Sequence, residues 1–354
     1  MDTTAVTGGT RIAGTVATTN TQMDLGATTL TAASSLTSGG GVINVASVVN
    51  GGFLLTVNAG AGASAIAGVV GGTGGLTKAG AGTLTLNGAN TYTGVTTVNA
   101  GKVNIAADSG LGTAPGGVVA TQITLGGGTL ESSGTFTLNS NRGITLTADS
   151  TMDVDPAATL TYSGIITGAF ALTKADTGTL ALGGAITYTG ATNINAGTLR
   201  VSNAAALGTG NVAHNTAGTL DIGSTTLNIG GTYTQAGAAI LMVNVNGTTS
   251  GSIVSGGAAT VPTTASLVLA VSNYVPNNTT YTIINGTGGA GVAAPAITVT
   301  GDNRATFTAT TVGEDLILTA SRAANGFASD ATAGDSNASA VGTVLDNITN
   351  PSGD

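Results

Sequence analysis

A stretch of 30 residues that occurs twice constrains this chain more than any other feature. Residues 76–105 read LTKAGAGTLTLNGANTYTGVTTVNAGKVNI, and residues 172–201 read LTKADTGTLALGGAITYTGATNINAGTLRV. The two copies start 96 residues apart and are identical at 18 of the 30 positions. Self-similarity of this kind predicts a repeat architecture, because each copy is then one structural unit that buries its apolar face against its neighbours.

Within one copy, short runs of alternating residues predict strands at Thr83–Leu86, Thr91–Thr93 and Thr96–Asn99. Asn87-Gly88 and Ala100-Gly101 predict corners, because these residue types tolerate positive φ. Three strands and three corners in about 25 residues match one rung of a parallel β-helix, whose backbone hydrogen bonds run to the neighbouring rungs. The offset between the copies then corresponds to roughly four rungs.

The composition favours many short strands. The chain has 354 residues, of which 58 are Gly, and its charged fraction is 7% with a mean hydropathy of +0.36. No run of about 18 apolar residues is present, so a helical membrane span is excluded. Flexible disorder is the alternative for a chain rich in Gly, but the alternating Thr-Leu and Val-Asn-Ile patterns supply apolar faces that a disordered tract lacks.

Charge and cysteine content limit the partners and the compartment. The net charge is −8, and the eight basic residues are scattered singly, so nucleic acid is not an expected partner. The absence of Cys excludes a disulfide framework. Met1-Asp2-Thr3 shows neither the basic nor the apolar region of a secretory signal, so we expect either a cytosolic protein or a piece of a longer exported chain.

Outside the repeats, the pattern predicts further strands and one insertion. The strands are expected at Thr28–Thr31, Gly41–Val45, Phe53–Asn58, Ala239–Asn246, Ser266–Ser272, Thr280–Asn285, Ala296–Thr300, Arg304–Thr310 and Asp315–Ala320. In the third of these, period-2 alternation predicts that Phe53, Leu55 and Val57 point inward. Beyond Pro115–Gly117 the offset between the copies falls from 96 to 90, which indicates a short insertion there in the first copy.

The pattern of the sequence changes after Gly230. The strands become longer and more apolar, as expected of a segment that closes the open end of a solenoid. From Ala323 the residues are those of a tail or linker. Within it, Ala338–Ile348 has apolar residues spaced as on one face of an amphipathic helix.

The repeated stretch closely resembles the strand repeat of bacterial autotransporter passengers, the passenger-associated transport repeat. Asp176-Thr177 and Ile186 depart from the first copy, all at corners, and leave the resemblance intact. Residues 231–322 resemble the C-terminal passenger segment often termed the autochaperone region. Residues 323–354 resemble the linker that leads into a membrane β-barrel.

The resemblance implies an all-β protein, a right-handed parallel β-helix (β-solenoid) with about three strands per rung. Residues 1–229 would form the helix, 230–322 its autochaperone-like cap, and 323–354 the linker, helical at 338–348. The resemblance also implies a passenger on the bacterial cell surface or secreted, after passage through the periplasm and outer membrane. Its own C-terminal β-barrel and the signal peptide are expected outside this sequence. The other partners that stay open are surface glycans or proteins of a host or neighbouring cell, and further copies of the chain.

Several residues are candidates for chemistry, and each also has a structural interpretation. Asp153-Val154-Asp155, with Asp149 nearby, is the best candidate for paired carboxylates, and the expectation is a solvated corner before Pro156. Glu131 and Asp221 occupy equivalent repeat positions, which favours a repeated surface feature over a unique site.

The remaining candidates are each expected to be structural. His214 should lie in a surface loop, Gly71–Gly75 should be a corner, and Lys78 and Lys174 should flank strands on the outside. Five glycosylation sequons are expected by chance in a chain rich in Asn and Thr: those of Asn246, Asn278, Asn285, Asn337 and Asn347. No catalytic, cofactor-binding or metal-binding residue is therefore assigned.

The sequence favours a non-catalytic passenger that acts as a rigid stalk or adhesin scaffold. Two alternatives stay open: a self-assembling surface-fibre or aggregation protein, and a fragment of a β-helix enzyme acting on glycans whose site lies outside this chain.

Overall fold

The computed structural model describes residues 9–287, 291–301 and 304–322. The chain forms two compact units, Met1–Ala213 and His214–Asp354, and each is described by itself. The expected linker at 323–354 and the expected helix at 338–348 lie outside the described residues. The division expected between residues 229 and 230 stays a prediction.

The first unit consists of short strands and one 3₁₀ turn, Asp108–Leu111. The strands are β1 (Thr10–Thr18), β2 (Met23–Ser38), β3 (Ile43–Gly51), β4 (Leu55–Ala59), β5 (Ser64–Ile66), β6 (Val70–Gly72), β7 (Leu76–Ala79), β8 (Thr83–Leu86), β9 (Thr96–Val98), β10 (Lys102–Ile105), β11 (Val119–Gly126), β12 (Thr129–Ser132), β13 (Phe136–Leu138), β14 (Arg142–Ala148), β15 (Ser150–Val154), β16 (Thr159–Tyr162), β17 (Ile166–Gly168), β18 (Leu172–Ala175), β19 (Thr179–Leu182) and β20 (Thr192–Val201).

The strands of the first unit pair in parallel with strands of neighbouring rungs. Paired residues are between 18 positions apart, as for Thr10 and Thr28, and 27 apart, as for Val98 and Leu125. Such pairing leaves no strand-to-strand hydrogen bonds within a rung, which is the arrangement of a parallel β-solenoid. The prediction of an all-β solenoid with about three strands per rung is confirmed.

The strands stack in three ladders. The first ladder contains β4, β7, β9, β11, β14 and β17. The second contains β5, β8, β10, β12, β15, β18 and the first half of β20. The third contains β13, β16, β19 and the second half of β20. The alternation of the sequence places the Leu, Ile and Val residues of the three ladders in the buried core, except Val119 at the start of β11.

The two copies of the repeat lie on different faces of the solenoid. Leu76 begins β7 in the first ladder, whereas Leu172 begins β18 in the second ladder, where it pairs with Ser150 and Thr192. The offset of 96 residues is therefore four rungs and one further strand, slightly more than the four rungs expected. The reason is that most rungs have 19 to 22 residues, fewer than the roughly 25 expected from the pattern.

The longest rung of the first unit carries the predicted insertion. Its extra residues lie between the 3₁₀ turn and β11, in the segment that includes Pro115–Gly117, and Val118 there is 61% exposed. The base of the segment is fixed by Arg142, which is fully buried, with its Nε 2.9 Å from Asp108 Oδ1 and its Nη1 2.9 Å from the carbonyl oxygen of Leu111. The insertion is confirmed as an addition at a corner, where a solenoid accepts extra residues.

Two local expectations in the first unit are wrong. Phe53 precedes β4 and is 40% exposed, whereas Leu55 and Val57 are buried as expected. Thr91–Thr93 does not form a strand, although the backbone N–H of Thr93 donates to the carbonyl of Gly72 in the preceding rung. Phe53 lies where the rung turns and period-2 alternation no longer sets the direction of a side chain, whereas residues 91–93 keep the alternation, with Tyr92 buried, without forming a strand.

The second unit contains β21 (Val212–Gly223, which crosses the boundary), β22 (Thr226–Ile229), β23 (Tyr233–Gln235), β24 (Ile240–Asn246), β25 (Thr249–Ser250), β26 (Ser252–Ser255), β27 (Ala259–Thr260), β28 (Ser266–Ser272), β29 (Thr280–Asn285), β30 (Ala296–Gly301), β31 (Ala305–Val312) and β32 (Asp315–Arg322). The strands predicted after Gly230 correspond to β24, β28, β29, β30, β31 and β32, and their bounds agree within two residues at each end.

Parallel stacking continues through β21, β24, β28 and β30, and it ends in an antiparallel hairpin. The hairpin is β31–β32, and β32 also pairs antiparallel with β29. A second tight turn follows Asn246, where Gly247 has a φ of +59° and β24 pairs antiparallel with β25. The antiparallel strands at the end of the described chain interrupt the parallel stacking. An uninterrupted parallel edge would leave unpaired backbone groups that could bind another strand.

Candidate functional site in the interior of the repeats and an acidic cluster

Lys78 and Lys174 lie inside the solenoid and are 0% and 1% exposed, so the expectation that they flank strands on the outside was wrong. Lys78 occupies an inward position of the first ladder between Val57 and Val98. In the sequence LTKA, the lysine is two residues after an inward Leu, and period 2 therefore directs both side chains to the same face. This even spacing between Leu and Lys is the sequence signal that predicts an inward lysine.

Both buried ammonium groups are bound by backbone carbonyls. The Nζ of Lys78 donates to the carbonyl oxygens of Ala79 and Gly80, each at 2.6 Å, and to that of Ala100 at 3.3 Å. The Nζ of Lys174 donates to the equivalent carbonyls, those of Ala175, Asp176 and Ala196. Burial lowers the pKa of both lysines to about 8, because the charged form loses its hydration.

A buried pair of hydroxyl groups forms a second shared feature. The hydroxyl of Tyr92 lies 2.7 Å from Thr96 Oγ1, and that of Tyr188 lies 2.5 Å from Thr192 Oγ1. Burial raises the pKa of Tyr92 to about 12, and it raises that of Tyr188 as well. These hydroxyls therefore stay protonated and serve as hydrogen-bonding groups of the interior.

Asn90 distinguishes the first copy from the second. Its Oδ1 accepts from the backbone N–H of Val70 at 2.7 Å, and its Nδ2 donates to the carbonyl of Gly110 at 2.7 Å. One side chain thus links the preceding rung to the following one. Ile186, the equivalent residue of the second copy, is buried without such links.

An acidic cluster lies on the outward side of the second ladder. Lys102 Nζ is 2.7 Å from Asp153 Oδ2 and 3.6 Å from Glu131 Oε2. The hydrogen bond that Lys102 donates to Asp153 raises the pKa of Lys102. Burial raises the pKa of the Glu131 carboxyl, and Asp155 acts in the same direction while Lys102 opposes it.

The structure corrects the prediction for the paired aspartates. Asp153 is inside strand β15, pairs with Glu131 across the ladder and is 5% exposed, so it does not lie at a solvated corner. Asp155 follows the end of that strand. Asp149 lies at the preceding corner, where its Oδ1 accepts from the backbone N–H of Ala171 at 2.8 Å.

His214 and Asp221 belong to strand β21. His214 is fully buried and not in a surface loop as expected, because it alternates in phase with the buried Val212. Its Nδ1 lies 3.1 Å from the hydroxyl of Tyr233, and its Nε2 lies 2.9 Å from the carbonyl oxygen of Gly218. Burial lowers the pKa of His214 to about 4. Asp221 Oδ1 accepts from the backbone N–H of Gly223 at 3.1 Å.

The glycine run Gly71–Gly75 is a corner, as predicted. A Cβ at Gly74 would lie 1.8 Å from the carbonyl oxygen of Phe53 in the preceding rung, so only Gly allows the rungs to stack here. In the described ranges, no group of three or more His, Cys, Asp or Glu residues is arranged to hold a metal ion. The same part of the chain has no helix long and apolar enough to cross a membrane.

Comparison with known proteins gives two matches. The model of the passenger-associated transport repeat matches residues 76–105 and 172–201. The chain is also 38% identical over 130 residues to a protein of Brucella suis biovar 1 (strain 1330) named "Adhesin BmaC autotransporter". That alignment covers 36% of this chain, and the chain spans only about 4% of the length of that relative.

A parallel β-solenoid whose rungs contain two passenger-associated transport repeats defines the class of this protein. The chain contains two repeats of the kind found in autotransporter passengers, as the resemblance in its sequence implied, and it is similar to an autotransporter adhesin over 130 residues. Both findings support a location at the cell surface or in the surrounding medium.

Proposed function

We propose that this chain is a non-catalytic scaffold that carries an adhesive surface outside the cell, held there by the β-barrel of its own autotransporter. One observation carries the proposal: both copies of the repeat direct their lysine and tyrosine side chains into the core. The ammonium groups are bound to backbone carbonyls and the phenols to threonines, so these residues build the solenoid. The name of the relative, an adhesin, supports the adhesive role.

The outward side of the first ladder supplies a surface for contact. One outward position of this ladder carries a hydroxyl in seven successive rungs, here called the hydroxyl column: Ser35, Thr56, Thr77, Thr97, Thr124, Thr145 and Thr167. Successive rungs are about 4.8 Å apart. Uncharged hydroxyls at a regular spacing suit hydrogen bonding to a surface glycan or to the backbone of a surface protein.

The acidic cluster supports a structural role more than a catalytic one. A general acid or base needs a carboxyl group that can reach a substrate. Asp153 is almost fully buried and bound to Lys102, which lies over both Asp153 and Glu131. Lys102 therefore balances one of the two negative charges of the cluster, which spans three rungs of the second ladder.

The test is an array of cell-surface glycans and extracellular matrix proteins probed with the chain. We expect binding to at least one member, and at least a ten-fold loss of that binding in the variant with Thr77→Lys and Thr97→Lys. The matched control is Thr151→Lys, which changes an outward threonine of the second ladder and should leave binding unchanged.

Three outcomes would contradict the proposal. No binding above background would remove the adhesive role. Equal loss in the control variant would show that the hydroxyl column is not the contact surface. Mass spectrometry would follow the size of a bound glycan during incubation, and a shortened glycan would show that the chain is catalytic.

A further inference from the structure

The carbonyls around each buried lysine come from two different rungs. For Lys78, those of Ala79 and Gly80 belong to its own corner, and that of Ala100 belongs to the corner of the following rung. An ammonium group has three N–H donors and no acceptor, and three carbonyls therefore satisfy it completely. The second copy repeats this arrangement with Ala196 as the group from the following rung, although it lies in another ladder.

The backbone at these corners has the conformation that directs carbonyls to one point. Gly80 has a φ of +74°, and Asp176, its equivalent, keeps a φ of +57° although it is not a glycine. The corner of the following rung is also left-handed, at Gly101, where a Cβ would lie 2.5 Å from the carbonyl oxygen of Gly80. The two corners are therefore in direct contact, and the ammonium lies at this contact.

We infer that the corner of each repeat is a carbonyl cage that binds an ammonium group, and that the lysine of the repeat fills it from within and locks its rung to the following one. The lock has a direction. Lys78 and Lys174 each bond to the C-terminal neighbouring rung, at Ala100 and Ala196. The cage is complete only when that rung is stacked in place.

A role in packing alone would make a different prediction. The stem of Lys78 fills a column between Val57 and Val98, and an apolar side chain of similar length would fill it equally well. Burying a charge often adds no net stability, and replacing it with an apolar group can even be favourable. A cage instead requires the N–H donors of the lysine, so an apolar side chain that fills the column would not replace it.

The experiment is hydrogen exchange of the full chain under native conditions, followed by mass spectrometry, in Lys78→Ala. We expect the amides of residues 79–82 and 99–103 to exchange at least ten-fold faster than in the wild type. The side chain removed beyond Cβ corresponds to n-propylammonium, so millimolar n-propylammonium should restore slow exchange at both corners. Propan-1-ol has nearly the same size without the charge, and it should restore neither.

The second copy is the internal control. In Lys78→Ala, residues 175–178 and 195–199 should exchange as in the wild type, and Lys174→Ala should give the reciprocal pattern. If the alanine variants do not fold, Lys78→Met retains the packing and should still show faster exchange at both corners.

Several results would overturn the inference. Exchange in Lys78→Met equal to that of the wild type would show that packing alone holds the corner, as would equal restoration by propan-1-ol. Faster exchange at residues 79–82 with no change at 99–103 would show that the lysine does not link the rungs.

Discussion

The two copies of the repeat have similar sequences but different places in the solenoid. The first copy begins in the first ladder and the second copy begins in the second ladder. Both nevertheless bury their lysine at a left-handed corner and pair a tyrosine with a threonine four residues later. The repeat therefore specifies an interior and a set of corners, and it does not specify the face on which they lie. The copies differ most at two corner positions, Gly80 against Asp176 and Asn90 against Ile186.

The largest expected effect comes from exchanging the first of these differences. A Cβ at Gly80 would lie 2.1 Å from the carbonyl oxygen of Ala59, so Gly80→Asp must displace the preceding rung. We expect it to lower the free energy of unfolding by roughly 3 kcal/mol. The reverse exchange, Asp176→Gly, removes a non-glycine residue from positive φ and should raise the free energy of unfolding by about 1 kcal/mol.

Urea unfolding followed by circular dichroism measures both variants. The gain in Asp176→Gly is reduced by the loss of the hydrogen bond from the backbone N–H of Thr177 to Asp176 Oδ1, 2.6 Å long. If Gly80→Asp and Asp176→Gly changed stability by equal and opposite amounts, the two corners would be interchangeable and the comparison would fail.

The second difference predicts a smaller effect. Asn90→Ile leaves the N–H of Val70 and the carbonyl of Gly110 without their partner in the core, which should cost about 2 kcal/mol. The matched change in the second copy, Ile186→Val, removes one methyl group and should cost about 1 kcal/mol. Thermal unfolding of the two variants tests whether the first copy depends on its asparagine. If Asn90→Ile lowered the free energy of unfolding by less than about 0.5 kcal/mol, the contribution of one weak hydrogen bond, the first copy would not depend on its asparagine.

Much of this architecture is visible in the sequence because strands and repeats have fixed periods. Period-2 alternation identifies Thr83–Leu86 as a strand, and the duplicated stretch identifies the solenoid. The change of face between the copies was not predictable in this way. It depends on the number of residues in each rung, and a segment such as Thr91–Thr93 alternates like a strand in the sequence although it does not form one.

The polar interior was missed for a different reason. Lys78 and His214 are in phase with buried aliphatic neighbours, but the cost of burying such groups made an outside position the more reasonable expectation. Their burial depends on carbonyls of distant residues, such as Ala100 for Lys78, and these contacts exist only once the rungs are stacked. Local pattern therefore predicted the strands, whereas the partners of the buried polar groups required the stacked structure.

The last expected effect is a dependence of stability on pH, and it compares the two copies most directly. Lys78 and Lys174 have a folded pKa of about 8, against an ordinary value of 10.5. Between these values the unfolded chain binds more protons, so the free energy of unfolding should increase as the pH rises through this range. One lysine contributes at most about 1.4 kcal/mol per pH unit.

Urea unfolding between pH 8 and 9.5 measures this slope, because the buried tyrosines contribute the opposite slope only above about pH 10. The pKa of Lys102 is raised, so this lysine also acts only above that range. Lys78→Met and Lys174→Met should each remove about half of the slope, and the double variant should remove it. If one single variant removed all of it, only that lysine would have a lowered pKa in the folded chain, and the two copies would not be equivalent in their interiors.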